Sequence, residues 1–187
     1  MLHRPSRAFT DPQAFIAWEN RQKRRYELIG TEIRLMAGGS RVHDLLAMNL
    51  VGLLRSAARA RGCDVHGSNL KVVSPVGIVT YPDVFVRCGP LANEVTECDD
   101  PVVVVEVLSR STRSEDLIVK RWAYQAIPTL RHLLYVDAAR PKVELATRRE
   151  DGSWHSVFLE GPDAVIRLEA LDASLPLAEV YEGTGLA

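Results

Sequence analysis

The spacing of apolar side chains along the chain predicts two long helices and one short one. Over residues 40–61, apolar positions recur at intervals of three and four, which is typical of a helix with one buried face. A short helix is predicted over residues 11–20, because it opens with an Asp-Pro pair that supplies a cap and a first-turn proline. A further helix is predicted over residues 111–126, where Ser111 has the character of an N-cap.

Short apolar runs between these helices predict a set of strands. Residues 101–108 are apolar on both faces of the strand apart from Glu106, which is typical of a central strand covered on both sides. The other predicted strands, each bounded by turn residues, are 26–29, 32–36, 69–73, 78–87, 130–136, 142–147, 154–159 and 164–168. This order predicts a mixed α/β (α+β) architecture with a mixed sheet, flanking helices and a C-terminal β-meander.

No repeat, low-complexity segment or linker interrupts the pattern, so the sequence predicts a single domain over residues 1–187. Within it we expect an N-terminal helix and hairpin over 11–37, a core over 40–137 and C-terminal strands over 142–183. A content of 47% apolar and 25% charged side chains is that of a folded soluble domain. No apolar stretch approaches the ~20 residues that span a bilayer, so we expect no membrane partner.

The composition adds two expectations about surroundings and partners. Residues 1–61 hold 11 basic and 5 acidic side chains, whereas the remainder holds 12 and 19. The basic N-terminal third could help hold a phosphate backbone, or it could be a bias of composition without function. The three cysteines form no CxxC pair, and a reducing, cytoplasmic location is the simplest interpretation of that pattern.

Two carboxylates lie where packing alone would not place them. Asp83 stands in the segment Tyr-Pro-Asp-Val-Phe-Val, and Glu106 interrupts an apolar strand. Because strand side chains alternate between faces, both carboxylates can point at one spot if their strands are neighbours. A divalent metal with hard oxygen ligands would satisfy both charges. A salt bridge to Glu106, for example from Lys71 or an arginine, would explain the buried acid equally well.

Lys120 lies on the helix that follows the Glu106 strand. Glu106 is about 10 Å before the end of its strand and Lys120 about 12 Å into its helix, at ~3.3 and ~1.5 Å per residue. A helix that folds back over the sheet would bring the two to a similar height. Lys120 could then orient a water and stabilise charge on a phosphoryl oxygen, or it could pair with Asp116 one turn away. Lys71, on the strand before Asp83, is a second candidate lysine.

These motifs resemble the PD-(D/E)XK signature of the restriction-endonuclease-like superfamily. Pro82-Asp83 precedes the strong strand that carries Glu106-Val107-Leu108. More closely, the chain is similar to the Uma-type putative restriction endonuclease family, formerly a domain of unknown function, over residues 10–183. The stretches that carry the similarity are 26–29, 40–43, 81–84, 105–109, 116–124, 127–128 and 133–137. One position departs from the broad signature, because Leu108 stands where the superfamily places its lysine.

The resemblance implies a restriction-endonuclease-like core and a metal-dependent endonuclease that hydrolyses phosphodiester bonds of nucleic acid, with DNA as the expected partner. It implies that Asp83, Glu106 and the backbone carbonyl of Val107 hold Mg²⁺ or Mn²⁺. It also implies that the missing motif lysine has moved to the following helix, where Lys120 is the candidate.

The resemblance further implies accessory roles for Glu27, as a metal ligand, and for His43, toward phosphate or water. Glu27 could instead be ion-paired with the neighbouring Arg24 and Arg25, and His43 could be a helix cap or a surface residue. A catalytically inactive nuclease fold that binds nucleic acid or a protein is the alternative function, favoured by Leu108 and by the near-neutral charge. A homodimer is compatible with the resemblance, because many enzymes of this fold dimerise to cut two strands.

Overall fold

The helices of the structure follow the apolar periodicity of the sequence. A computed structural model of the chain describes residues 8–36, 38–109, 114–161 and 163–186. Its helices are α1 (Pro12–Glu19), α2 (Arg41–Ala60), α3 (Ser114–Gln125) and α4 (Leu177–Val180), with a 3₁₀ turn at Glu169–Leu171. Asp11 and Ser40 cap α1 and α2, while the predicted cap at Ser111 lies outside the described residues. Within the described ranges, none of the helices has the length and apolarity that crossing a bilayer requires.

The strands that the structure describes form three sheets. They are β1 (Tyr26–Ile29), β2 (Glu32–Leu35), β3 (Cys63–Gly67), β4 (Lys71–Val73), β5 (Val79–Thr80), β6 (Val84–Cys88), β7 (Glu97–Cys98), β8 (Pro101–Leu108), β9 (His132–Asp137), β10 (Lys142–Arg148), β11 (Trp154–Glu160), β12 (Val165–Leu168) and β13 (Ala173–Pro176). The large sheet has the order β11-β10-β9-β8-β6-β3, in which β8 and β9 run parallel. A second sheet has the order β2-β1-β5-β4-β7, and β12 pairs with β13 separately.

Strand β8 lies inside the large sheet and is covered on both faces. On one face, Leu50 and Leu54 of α2 are fully buried in a cluster that includes Val105. On the other face, Tyr124 of α3 is buried in a second cluster with Val104. The layered packing of helices on a mixed sheet confirms the fold class predicted from the sequence.

The predicted strand over residues 78–87 is in fact two strands that belong to different sheets. Strand β5 pairs with β1 and β4 in the second sheet, whereas β6 pairs with β3 and β8 in the large sheet. The segment Tyr81-Pro82-Asp83 between them leaves both ladders, because a proline has no N–H to donate. This crossing joins the two sheets and places Asp83 at their junction.

Two cysteines form a disulfide that the sequence did not predict. Cys63 at the start of β3 stands opposite Cys88 at the end of β6 in the antiparallel register, and their sulfur atoms are bonded. Their separation of 25 residues gives no sign of the pairing, which depends on strand register. Cys98 is free and buried. Because two of the three cysteines are bonded, the cysteines no longer favour a reducing compartment.

Candidate active site

The junction of the two sheets brings Asp83 and Glu106 near each other. In the antiparallel β6–β8 ladder, Val84 pairs with Val105. Asp83 directly precedes Val84 and Glu106 directly follows Val105, so the two acids lie near each other, and the charge of Asp83 acts on the Glu106 carboxyl group. The condition for a shared site, that the two strands are neighbours, is therefore met.

Asp83 is held against the edge of β8. Its Oδ2 accepts a hydrogen bond of 2.7 Å from Val107 N and lies 3.2 Å from His43 Nε2. One residue on, Leu108 O accepts a hydrogen bond from Ala138 N on the opposite edge of β8. Because successive residues of a strand direct their backbone groups to opposite edges, the Val107 carbonyl shares the edge of its own N–H. The Val107 carbonyl thus faces the Asp83 side of the strand.

Glu106 is buried beneath α3 and carries a perturbed carboxyl group. Its Oε1 accepts a hydrogen bond of 2.6 Å from Tyr124 Oη and lies 3.3 Å from Lys120 Nζ. Tyr124 Oη is also 2.9 Å from Thr80 Oγ1, so a hydroxyl of the second sheet supports it. Burial raises the pKa of Glu106 to about 7 against the opposing charge of Lys120, and the carboxylate of Asp83 adds to the rise.

Lys120 bridges two carboxylates that come from different sheets. Its Nζ lies 2.9 Å from Glu27 Oε1 and 3.3 Å from Glu106 Oε1. Burial by itself would lower the pKa of Lys120, but the two carboxylates outweigh it and raise that pKa above its ordinary value. The ammonium group therefore stays charged at neutral pH. Asp116, the alternative partner of Lys120, contacts Arg34 instead.

Glu27 reaches the site from strand β1 of the second sheet. Its Oε1 accepts a hydrogen bond of 3.0 Å from Tyr81 N in addition to the bond from Lys120. The ion pairs with Arg24 and Arg25 that the sequence left open are not formed in the part of the chain that the structure describes. Glu27 therefore fixes both the Lys120 ammonium and the backbone of the turn that leads to Asp83.

His43 lies in the first turn of α2 and closes the site on that side. Its hydrogen bond to Asp83 raises the pKa of His43, although burial opposes the rise. The helix cap is Ser40, which accepts a hydrogen bond from His43 N. Gly39 makes room for the imidazole, because a Cβ at Gly39 would lie only 2.7 Å from His43 Nδ1, whereas a Cβ at Gly38 would meet open space.

Lys71 lies outside this cluster, in a buried ion pair of its own. Its Nζ is 3.1 Å from Glu19 Oε2 and 2.6 Å from Asn20 Oδ1, and the Lys71 and Glu19 side chains are 3% and 5% exposed. Glu19 Oε1 also accepts hydrogen bonds from Tyr81 Oη and Tyr26 N. The structure therefore does not bring Lys71 to the paired carboxylates, and the Lys71–Glu19 pair instead fastens α1 to the turn that precedes Asp83.

Several groups at the site were not predicted from the sequence. The hydroxyl of Tyr124 could have been found, because it follows Lys120 by four residues and so shares its helix face. The hydroxyl of Thr80, the backbone N–H of Tyr81 and the open space at Gly39 gave no local signal. Each of these three meets a partner that is distant in sequence or set by backbone geometry.

The donor groups at this junction suit a hard divalent cation. Two carboxylates and a backbone carbonyl are oxygen ligands of the kind that Mg²⁺ and Mn²⁺ prefer. In the described ranges, no three His, Cys, Asp or Glu side chains form a group that could hold a metal by themselves. The Val107 carbonyl and water would therefore have to complete the coordination. The side chains of Asp83 and Glu106 are 15% and 10% exposed, so both carboxylates are largely shielded from bulk water.

Replacing Gly39 with alanine is expected to detach His43 from Asp83, because the new methyl group would occupy the space of the imidazole. The pKa of His43 should then fall toward the ordinary value of 6.5. Gly38→Ala adds the same group into open space and should leave the pKa raised. An NMR titration of His43 in both variants checks this prediction, and an unchanged pKa in Gly39→Ala would contradict it.

The raised pKa of Glu106 predicts that stability falls as the pH rises. The folded protein keeps this proton up to about pH 7, whereas the unfolded chain releases it near 4.5, so the stabilisation is complete below 4.5 and lost by about 7. Between pH 4.5 and 8, the free energy of unfolding should fall by up to roughly 3 kcal/mol more in the wild type than in Glu106→Gln. Urea titrations in EDTA measure the difference, and parallel pH profiles of the two proteins would refute it.

Removing Lys71 is expected to destabilise the fold, because Glu19 would keep a buried charge without its cation. Lys71→Met should lower the free energy of unfolding by about 3–5 kcal/mol. The double variant Glu19→Gln/Lys71→Met removes both charges and should recover part of the loss. Urea denaturation measures both variants, and a single variant as stable as the wild type would show that the ion pair has no structural role.

Two proteins of Synechocystis sp. strain PCC 6803 are related to the chain over most of its length. The uncharacterized protein slr1290 is 30% identical over 187 residues, which is 98% of this chain and 98% of the relative. The uncharacterized protein sll1609 is 29% identical over 156 residues, which is 81% of this chain and 88% of the relative.

A solved structure from Anabaena variabilis ATCC 29413, described as "a putative nuclease belonging to DUF820", has the same fold. It superposes with a TM-score of 0.77 at 14% sequence identity and covers 94% of this chain and 99% of its own. The family model Uma2, described as "Putative restriction endonuclease", matches residues 12–178. Because that match spans most of the chain and agrees with the motifs of the sequence, the protein belongs to the Uma2 family.

Proposed function

We propose that the protein is an endonuclease that hydrolyses phosphodiester bonds of DNA with the help of Mg²⁺ or Mn²⁺. The observation that carries the proposal is the meeting of Asp83 and Glu106 at one strand edge, with the Lys120 ammonium 3.3 Å from the Glu106 carboxylate. Membership in a family described as "Putative restriction endonuclease" and a fold shared with a structure described as "a putative nuclease" support the same class of reaction.

Asp83, Glu106 and the Val107 carbonyl would hold the cation. When bound, it would polarise the scissile phosphate and lower the pKa of a water ligand. The pKa of Glu106 supports this assignment, because a second negative charge beside Asp83 is unfavourable in a buried place without a cation. The Val107 carbonyl supports it too, since it shares the strand edge of the N–H that binds Asp83.

Lys120 would act as a hydrogen-bond donor and as a fixed positive charge. Its pKa lies above the ordinary value, so it does not serve as a general base at neutral pH. Among the described contacts, two of its three N–H donors go to Glu27 and Glu106, and the third would be available for a phosphoryl oxygen or the attacking water. Leu108 at the motif position packs into the apolar cluster under α3, so the helix supplies the ammonium that this strand position lacks.

Glu27 and His43 would be positioning residues in this scheme. Glu27 holds the Lys120 ammonium from the side opposite Glu106, with 2.9 Å between Oε1 and Nζ. His43 holds Asp83 Oδ2 from the side of α2, with 3.2 Å to Nε2. Both contacts limit the motion of the groups that would meet substrate and metal.

The proposal predicts that Asp83→Asn loses cleavage while it keeps the fold. Purified wild type and variant are compared on supercoiled, linear and single-stranded DNA with Mg²⁺, Mn²⁺ or EDTA, after circular dichroism has shown both to be folded. The wild type should cut only with metal. The rate of Asp83→Asn should be lower by on the order of 100-fold or more, because a carboxylate ligand is lost.

Asp163→Asn is the matched control, because Asp163 is an exposed aspartate in the turn between β11 and β12, away from the residues that contact Asp83 and Glu106. It should cut like the wild type. Equal cleavage by wild type and Asp83→Asn would assign the activity to a contaminant and reject the proposal. Absence of cleavage by all three folded proteins would favour the alternative function, a nuclease fold that binds nucleic acid or protein without turnover.

A further inference from the structure

A cleft of about 1020 Å³ opens directly beside Asp83. One wall is the loop between α1 and β1, with Lys23, Arg24 and Arg25, and the other is the start of α2, with Arg41 and His43. Nearly all the lining residues come from the first third of the chain, the basic segment for which the sequence left open either a role in holding a phosphate backbone or a bias of composition.

The basic side chains of this cleft are not neutralised by the protein. The carboxylates of the lining are Asp44 and Asp83, whereas four lysine or arginine side chains face them. Glu27, the acidic neighbour of the arginines in sequence, is bound by Lys120 instead. Within the described residues, no ion pair involves the side chains of the basic loop or Arg41, and all four are exposed. Unpaired charges of one sign that line a cleft focus a field that attracts the opposite charge.

The basic loop is held in place at both ends. On one side, Gln22 N donates to Glu19 O and Tyr26 N donates to the Glu19 carboxylate, which is fixed by the buried Lys71. On the other side, Arg25 O accepts a hydrogen bond of 3.0 Å from Met36 N in the hairpin. A loop fixed in this way presents its charges at little entropic cost to a ligand.

Arg25 and Arg41 are themselves oriented by backbone carbonyls. Arg25 Nη1 donates to Ser68 O at 3.1 Å, and its guanidinium lies over the Tyr81 ring at 5.8 Å from the centroid. Arg41 Nη2 donates to Gly183 O at 3.2 Å. Each guanidinium has five N–H donors, so these contacts orient the group and leave donors for a second partner. The start of α2 adds the positive end of a 20-residue helix to the same wall.

We propose that this cleft binds the phosphodiester backbone of the nucleic acid strand that is cut, with Lys23, Arg24, Arg25 and Arg41 as its phosphate contacts. The inference rests on the proposed function for the position of the scissile bond, which would lie at Asp83 where the cleft ends. A strand that follows the cleft passes from the basic loop to Asp83, so the basic side chains hold the flanking phosphates and the reacting phosphate lies at the end of the cleft beside Asp83. Phosphates would supply the negative charges with which these basic side chains can pair.

The test measures binding and not cleavage, in EDTA, by fluorescence anisotropy of one labelled sequence as duplex DNA, single-stranded DNA and single-stranded RNA. The variant is Lys23→Ala/Arg24→Ala, because both side chains are exposed and neither forms an ion pair in the part of the chain that the structure describes. The matched control is Arg55→Ala/Arg59→Ala, which removes two exposed arginines from the same helix as Arg41. Arg55 is about 21 Å from Arg41 at ~1.5 Å per residue.

The expected result is a loss of at least about 10-fold in affinity for Lys23→Ala/Arg24→Ala at low salt. The slope of log K against log salt on duplex DNA should also become shallower by about 2, one for each lost phosphate contact. The control should keep the affinity and slope of the wild type. The three probes tell which nucleic acid the backbone contacts accept best.

Equal affinity of cleft variant and wild type, equal losses in cleft and control variants, or no binding of any probe by the wild type would each overturn the inference. The experiments distinguish failure of this inference from failure of the proposed function. If the protein binds through the cleft but does not cut, the inference stands and the nuclease assignment is rejected. If the protein cuts with metal and the cleft variant binds as well as the wild type, the nuclease assignment stands and the inference is rejected.

Discussion

The burial of the Glu106 carboxyl group is the constraint on which the site depends. This group stands on a strand covered on both faces, where an uncompensated charge costs several kcal/mol. Its compensation comes from Lys120 and Tyr124, one turn apart on α3, the helix that follows the strand in the chain. The polar contacts therefore fix how α3 lies over the sheet, in addition to the apolar packing around Tyr124.

The second sheet supplies further contacts that hold Lys120 and the segment before Asp83. Glu27 neutralises the far side of the Lys120 ammonium and binds the backbone at Tyr81. The Glu19–Lys71 pair anchors the Tyr81 hydroxyl and the entry to β1. A proline between β5 and β6 forces the chain out of one sheet and into the other, and Asp83 follows it directly. The position of Asp83 thus depends on both sheets at once.

Acidic and basic side chains lie in separate but adjoining parts of this site. Carboxylates cluster at the strand edge where a metal would bind, while unpaired basic side chains line the cleft that leads to them. The near-zero net charge of the whole chain conceals this separation, because acidic residues of the later sequence cancel the basic ones in the sum. A phosphate backbone is attracted by the basic side chains of the cleft, whereas the carboxylates would repel the reacting phosphate unless a cation is present, so the reaction, and not binding along the cleft, would depend on the metal.

Local patterns in the sequence determined the main helices, the first hairpin and the central strand with its buried acid, because periodicity, caps and turn residues act over a few positions. They also placed Lys120 at a height that matches Glu106, because strand and helix rises are fixed. Only the tertiary structure decided that the residues after Gly77 divide between two sheets, that Cys63 faces Cys88, that Glu27 binds Lys120 and not its neighbouring arginines, and that Lys71 pairs with Glu19. Each of these depends on which distant segments lie side by side, and strand register between such segments is set by packing of the whole domain and leaves no mark in the nearby sequence.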